Sequence, residues 1–246
     1  MFDFLSSDST LEHWFRSLSY RRPPRPEPDD ATLRNWAEGP TIAISRQVGA
    51  RGTTIARVVG AKLGWPVYDH ELLEKLAAEM EVGLNWLKCR DERTSNWLQE
   101  RLASLSGDPM MSDGSFRHHL IRVLFALACK GHCVIVGRGA AHTLPAATTL
   151  RVRLIGALED RTRFMARQLG IDPEQAASRV ARLDRERDGF VKQNFHRDPS
   201  DPLQYDLILN SSRFDDDEAA DIIVKAVAPY LKEPSEPVAP ITVGSA

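Results

Sequence analysis

Residues 41–54 read Thr41-Ile42-Ala43-Ile44-Ser45-Arg46-Gln47-Val48-Gly49-Ala50-Arg51-Gly52-Thr53-Thr54. The first five are mostly apolar or β-branched on both faces, which is typical of a strand buried in a parallel sheet. A turn with two glycines follows, and the apolar spacing from Thr53 to Leu63 predicts a helix after it. A glycine-containing turn that enters a helix directs backbone N–H groups at one point, and phosphate is the natural ligand there.

The turn departs from the regular phosphate loop, Gly-x-x-x-x-Gly-Lys-Ser/Thr. In that loop the lysine contacts the transferred phosphates and the hydroxyl binds magnesium. Counted back from the helix, Gly52 stands at the lysine position and Thr53 at the hydroxyl position. Two interpretations stay open at this point: a phosphate loop without its lysine, and a plain strand-to-helix turn that contains two glycines.

The rest of the chain alternates between strand and helix patterns. Further strands are predicted at 67–69, 133–136, 150–155 and 207–209, and helices at 53–63, 70–80, 84–105, 116–127, 160–169, 173–188 and 220–231. Strands separated by helices favour a three-layer α/β fold, with about five parallel strands covered on both faces. Ligands of such sheets bind at the carboxyl ends of the strands.

Composition limits the classes of function. The 246 residues carry 32 Lys plus Arg against 34 Asp plus Glu, a formal charge of −2, which argues against a general nucleic-acid binder. No apolar run approaches the roughly 20 residues that span a bilayer, and residues 1–20 show no secretory signal. The three cysteines have no zinc-like spacing. We therefore expect a cytoplasmic protein without nucleic-acid or membrane partners.

The two ends of the chain differ from its middle. Residues 1–39 contain a short amphipathic pattern and the proline-rich segment Arg21–Pro28, which predicts an N-terminal arm with an extended linker. Residues 233–246 contain three prolines and no amphipathic pattern, which predicts a C-terminal tail. The body is predicted at 40–232. The arm is a candidate docking segment for a protein partner or for self-association.

Three blocks of the body resemble one known family. The first is Ile-Ser-Arg-x-x-Gly-x-x-Gly from Ile44, with Lys-Leu-Gly from Lys62 and Tyr-Asp-x-Glu-Leu from Tyr68; the others are residues 131–140 and 205–212. In this order they resemble the cytidylate-kinase-like proteins, a branch of the nucleoside monophosphate kinases within the P-loop fold. That branch typically lacks the loop lysine, as this chain does at Gly52. Arg51 departs from the small residue usual at its position.

The resemblance implies ATP and Mg²⁺ as cofactors and nucleotides as substrates, with a CMP-like acceptor. It implies that the donor phosphates lie against Ser45, Arg46, Gly49, Ala50, Arg51, Gly52, Thr53 and Thr54, and that the Thr53 hydroxyl contacts magnesium. Arg51 either points inward and replaces the missing cation or points to solvent; we expect the inward orientation. The helical region 84–105 is expected to form an acceptor-binding insert.

In related nucleotide kinases an arginine at this junction holds the acceptor phosphate, so the resemblance implies that role for Arg138. Between Gly137 and Gly139 its planar guanidinium can approach a phosphate unhindered; the alternative is a surface arginine in a loop. Asp69 is expected to bind the acceptor's sugar or base, or a magnesium-bound water. Capping of the helix that starts at His70 is an equally good interpretation of this residue.

An arginine-rich segment precedes the last predicted strand, where monophosphate kinases carry a mobile lid. Fixed cations there stabilise the charge that spreads over a transferred phosphoryl group. The Asp-Arg-x-Arg string at 184–187 favours Arg185 and Arg187 as catalytic residues, with Arg51 and Arg138. The spacing of Arg182 and Glu186 predicts instead a surface ion pair.

The sequence therefore predicts an ATP-dependent nucleotide kinase. Two alternatives remain open: a non-catalytic nucleotide-binding regulatory module with a degenerate phosphate loop, and a kinase of another small phosphate acceptor.

Overall fold

The computed structural model of the chain describes residues 37–79 and 116–231. Their five strands form one parallel sheet in the order β2-β3-β1-β4-β5. The strands are β1 (Thr41–Arg46), β2 (Val67–Tyr68), β3 (Cys133–Val136), β4 (Thr149–Ile155) and β5 (Leu207–Asn210). The predicted α/β P-loop architecture is confirmed.

Helices connect consecutive strands of this sheet. They are α1 (Gly52–Leu63), α2 (His70–Glu79), α3 (Phe116–Lys130), α4 (Ala140–Thr143), α5 (Leu158–Leu169), α6 (Pro173–Phe195) and α7 (Asp216–Leu231). Among the described residues, no helix is both long enough and apolar enough to cross a bilayer.

The central strand β1 contributes to a core on each face of the sheet. Ile42 and Ile44 pack with residues of α1 and α7, whereas Ala43 packs with residues of α3 and α6 on the opposite face. This alternation follows from the period of two along a strand. Both faces are apolar because helices cover both, and β1 is thereby held at the centre of three layers.

Helix α6 is longer than its pattern predicts. The sequence predicts an end at Asp188, before Gly189, but the helix continues to Phe195. Val191 and Phe195 are 9% and 4% exposed and belong to the α3-side core. The free energy of burying these side chains outweighs the propensity cost of one glycine inside the helix, about 1 kcal/mol.

Several predictions on domain organisation lie outside the described residues. They concern residues 1–36 of the arm, the 84–105 insert and the 233–246 tail. At the start of the body, the Glu38 N–H donates to the Cys129 carbonyl at 2.8 Å, and the His132 N–H donates to the Pro40 carbonyl at 2.8 Å. The chain is therefore attached to the body from residue 38 onward.

Candidate functional site

The loop between β1 and α1, residues 47–51 (loop 47–51), has the backbone of an anion-binding turn. Gly49 and Arg51 have φ of 78° and 54°. Turns with left-handed residues gather backbone N–H groups into a concave surface that suits anions. No side chain caps the N-terminus of α1, and the first N–H groups of a helix have no partner within the helix. The N–H groups at the start of α1 are therefore the main backbone donors available to an anion.

Loop 47–51 is tied to the two helices α5 and α6 by an ion pair. Arg161 donates to Asp184 at 2.6 Å and to the Val48 carbonyl at 3.0 Å, and the Val48 N–H donates to the other Asp184 oxygen at 2.8 Å. The side chain of Arg161 is only 8% exposed, and that of Asp184 is 24% exposed. The arginine-rich segment is thus joined to the loop through its own charged residues.

Arg51 lies against the segment between β5 and α7, and it does not line the cavity described below. Its guanidinium donates to the carbonyls of Ser211 and Phe214 and lies 2.8 Å from Asp216. This placement differs from the inward orientation expected from the sequence, because acceptors from the far end of the chain already bind the guanidinium. A catalytic role for Arg51 remains a prediction.

We expect Arg51→Ala to lower the free energy of unfolding by about 1–2 kcal/mol, because it removes charge-assisted bonds at a partly exposed site. The effect on turnover should stay well below that of losing a cation that contacts phosphate. Urea unfolding, compared with Arg182→Ala, measures the first effect. A large loss of turnover with unchanged stability would instead support an inward orientation of the Arg51 side chain.

Four arginines line a cavity of about 320 Å³ beyond the carboxyl ends of β1, β3 and β4. We call it the arginine cavity; its arginines are Arg46, Arg138, Arg153 and Arg187. Arg153 donates to the Ser45 hydroxyl at 2.6 Å and Arg187 to the Arg46 carbonyl at 3.4 Å. Glu186 and Asp188 are the acidic residues of its lining. The excess of cations favours a bound polyanion.

Burial lowers the pKa of three of these arginines, and for two of them the positive charges of the others contribute. Burial, with the nearby charges of Arg187, Arg138 and Arg153, lowers the pKa of Arg46 to about 9. Burial likewise lowers the pKa of Arg138 and, with the charges of Arg153 and Arg138, that of Arg187. With a pKa of about 9, Arg46 stays protonated at neutral pH. A negatively charged ligand would reduce the repulsion between these arginines and compensate for the free-energy cost of their desolvation.

Arg138 is held in place by its backbone and by two side chains. It has φ of 50° between Gly137 and Gly139. Its guanidinium hydrogen-bonds to Glu74 and lies 5.3 Å from the centroid of the Phe190 ring, close enough for a cation–π contact. Its Nε is buried and has no hydrogen-bond partner among the described residues. The interpretation of Arg138 as an ordinary surface arginine does not fit this environment.

The other predicted site residues are not all brought together. The Asp69 carboxylate accepts the Leu72 N–H at 3.1 Å, which is the capping alternative, and its other oxygen lies 3.6 Å from Arg57. Arg185 is exposed and does not line the arginine cavity, whereas Arg187, one half-turn later, does. Roles for Asp69 and Arg185 in the reaction remain predictions.

Magnesium has one candidate protein ligand at this site. Thr53 lies in the first turn of α1 and is partly exposed. Within residues 37–79 and 116–231, no group of three His, Cys, Asp or Glu side chains is placed to hold a metal ion. A nucleotide-bound Mg²⁺ does not require such a group, because phosphates and water supply most of its ligands.

Two residues of the site were not predicted. Arg153 lies in β4, where Arg151 and Arg153 alternate with buried apolar residues. Arg151 pairs with Asp206 at 2.6 Å, so Arg153, one residue pair nearer the carboxyl end, is the one that reaches the cavity. An arginine in a strand otherwise buried on both faces was a signal in the sequence. Asp184 gave no such signal, since its partner Val48 is far away in the chain.

The sequence of the body matches a known family. Residues 41–213 match the model of the cytidylate kinase-like family. A cytidylate kinase of Methanopyrus kandleri is 31% identical over 112 residues, which cover 42% of this chain and 58% of that protein. The chain thus matches little more than half the length of this curated relative.

One solved structure supports the fold alone. An uncharacterized protein of Eubacterium ventriosum superposes with a TM-score of 0.63 at 21% identity, covering 77% of this chain and 98% of the other. A shikimate kinase of Bacteroides thetaiotaomicron superposes more loosely, with a TM-score of 0.44 at 16% identity over 76% and 98% of the two chains. With its sheet, its lysine-free loop and the match over residues 41–213, the chain belongs to the cytidylate kinase-like family.

Proposed function

We propose that this protein transfers the γ-phosphoryl group of ATP to a nucleoside monophosphate, with magnesium and with a CMP-like acceptor. One observation carries the proposal. Arg46 lines the arginine cavity and its stem lies against Gly52 at the uncapped N-terminus of α1, so two candidate sites for phosphate groups adjoin each other at the carboxyl edge of the sheet. A donor and an acceptor that both carry phosphate need such a pair of neighbouring sites.

A second cavity, of about 420 Å³, supports the placement of the donor. It is lined by Gly49, Arg51 and Phe164 and by residues 211–215. Gly49 and Arg51 belong to loop 47–51, and the arginine cavity is lined by Ser45 and Arg46, which directly precede the loop. In this arrangement the donor's base occupies the second cavity and its phosphates follow the loop towards the arginines.

The residues present fit ATP and magnesium. The N–H groups at the start of α1 suit the donor phosphates, and the Thr53 hydroxyl suits the metal. ATP would supply the phosphoryl group, and Mg²⁺, with Thr53 as a protein ligand, would neutralise part of the negative charge on its phosphates. Arg138 and Arg153 hold the acceptor phosphate, and Arg187 adds positive charge from α6. Positioning and charge stabilisation by these fixed cations supply most of the rate acceleration.

The proposal is tested by ADP formation from ATP and Mg²⁺ with a panel of nucleoside monophosphates and small hydroxyl compounds. We expect ADP with CMP above all other acceptors, and none without magnesium. Turnover with a compound that is not a nucleotide would show that the acceptor belongs to another class of compound. ATP binding without turnover for any acceptor would favour the second candidate, a non-catalytic nucleotide-binding module; the glycine at position 52 is the observation that supports it.

We expect Arg138→Ala to raise KM for the acceptor about ten- to hundredfold, since a charge-assisted hydrogen bond to phosphate contributes roughly 1.5–3 kcal/mol. The affinity for ATP should change much less, and Arg138→Lys should recover part of the loss. Steady-state kinetics with either substrate varied separates the two effects. The exposed Arg182→Ala serves as the control for loss of one positive charge. An unchanged KM would remove Arg138 from the acceptor site.

A further inference from the structure

The cation missing at position 52 has a counterpart among the residues that flank loop 47–51. Placed on the chain with its lysine at residue 52, the pattern Gly-x-x-x-x-Gly-Lys has its two glycines at residues 46 and 51. Both of those positions are arginines here, and the lysine position is a glycine. Relative to the pattern, residues 46–52 therefore lack one cation, at position 52, and carry two additional ones, at positions 46 and 51.

The side chains of the two arginines point in different directions. The guanidinium of Arg51 is bound by Ser211, Phe214 and Asp216, at the segment between β5 and α7. The side chain of Arg46 runs into the arginine cavity. Its guanidinium has no hydrogen bond or ion pair with any residue in the described part of the chain, although Arg138, Arg153 and Arg187 lie near it. Of the two, Arg46 is the one left available for a ligand.

Steric contacts show that Arg46 occupies the space of the missing side chain. A Cβ on Gly52 would lie 2.6 Å from Cγ and 2.8 Å from Cβ of Arg46. Rotation about χ1 can move Cγ, but Cβ is fixed by the backbone of β1 and cannot move aside unless that backbone shifts. A lysine at position 52 is incompatible with an arginine at position 46, and each residue accounts for the other.

The far end of the Arg46 side chain lies close to Gly137. A Cβ on Gly137 would lie 2.3 Å from Nη1 of Arg46. The guanidinium therefore lies against the backbone at the end of β3, between the start of α1 and Arg138. That is the boundary between the donor loop and the acceptor arginines in the proposed function.

We propose that Arg46 supplies the cation that a regular phosphate loop takes from lysine at position 52, and that it contacts the donor phosphates. This inference rests on the proposed function, since it assigns a residue to the donor site of that reaction. The lysine has not simply been lost: a longer side chain now reaches the same place from six residues earlier.

The exchange makes a pair of substitutions diagnostic. Arg46→Gly removes the cation, and Gly52→Lys inserts a side chain into the stem of Arg46. We expect each single variant to weaken ATP binding at least about tenfold, the loss typical of one charge-assisted contact to phosphate. The double variant Arg46→Gly/Gly52→Lys restores the regular pattern at both positions. It should bind ATP better than either single variant.

Calorimetric titration with MgATP measures the affinities, and circular dichroism with thermal melting verifies that each variant is folded. Arg46→Lys and Arg46→Ala provide a second series if Gly52→Lys does not fold; we expect Lys to retain more affinity than Ala. Arg182→Ala, on the exposed side of α6, controls for loss of a positive charge. Its affinity should stay within about twofold of wild type, as is usual for a surface charge.

The outcomes separate this inference from the proposed function. If the wild type binds ATP and Arg46→Ala behaves like Arg182→Ala, Arg46 is not the replacement cation, while the function stands. A double variant as weak as the product of the two single effects would also overturn the exchange. A wild type that does not bind MgATP would overturn both proposals.

Discussion

Replacing Asp184 by alanine is expected to lower the free energy of unfolding by about 3 kcal/mol, because it leaves the guanidinium of Arg161 buried without its counter-charge. The side chain of Arg161 is only 8% exposed, and its guanidinium is also bonded to the Val48 carbonyl of loop 47–51. The Val48 N–H loses its acceptor in the same variant. Urea unfolding monitored by circular dichroism gives the difference directly.

The matched control lies on the same helix. Arg182 and Glu186 form an ion pair at 2.5 Å in which both side chains are 55% exposed. Arg182→Ala should cost only about 0.5 kcal/mol, the usual contribution of an exposed pair four residues apart. Asp184→Asn keeps the shape of the side chain and the acceptor for the Val48 N–H. Its loss of unfolding free energy should lie between those of Asp184→Ala and Arg182→Ala. If Asp184→Ala costs no more than Arg182→Ala, the pair does not hold α6 to the loop.

Gly49→Ala is the second substitution with a large expected effect. A Cβ at Gly49 would lie 2.4 Å from the carbonyl oxygen of Arg161, and the residue has φ of +78°. The overlap is with backbone, so α5 and the loop must move apart. We expect a loss of about 2–4 kcal/mol in stability, the sum of left-handed strain and overpacking. Because the loop shifts, affinity for MgATP should fall at least about tenfold, as one lost contact to phosphate predicts.

The chain offers a close control for this variant. Gly170 has φ of +64°, and no atom lies within 4 Å of the point that a Cβ would occupy there. Gly170→Ala therefore imposes similar backbone strain without the overlap. It should cost about 1 kcal/mol and leave ATP affinity unchanged. Equal losses in the two variants would show that strain alone matters at Gly49 and that the loop does not pack on α5 as described.

The parts of the fold that depend on local pattern were predictable from the sequence. Strand β1 and helix α1 follow from apolar spacing. The role of Arg138 remains a prediction. The end of α6 was not predictable from Gly189, because it depends on what Phe195 buries in the folded chain.

Side-chain direction was the main limit within the site. Arg46 and Arg51 have similar chemistry and lie close together around one short loop. What separates them is contact with residues that are distant in sequence: Ser211 and Asp216 attract Arg51, and Gly52 and Gly137 leave room for Arg46. A local pattern contains no information on such partners. For the same reason Asp184 gave no signal as a partner of Val48.

The position of β1 has a consequence for synthesis of the protein. This strand is the first of the sheet to leave the ribosome, yet Thr41 pairs with Cys133 on one side and Thr149 on the other. At roughly 5–20 residues per second, the central strand waits several seconds for its neighbours. The partners of Arg51 follow still later, at residues 211–216. The candidate site therefore forms only after residue 216 has been synthesised. Until then the apolar β1 depends on slow, non-local pairing or on chaperones.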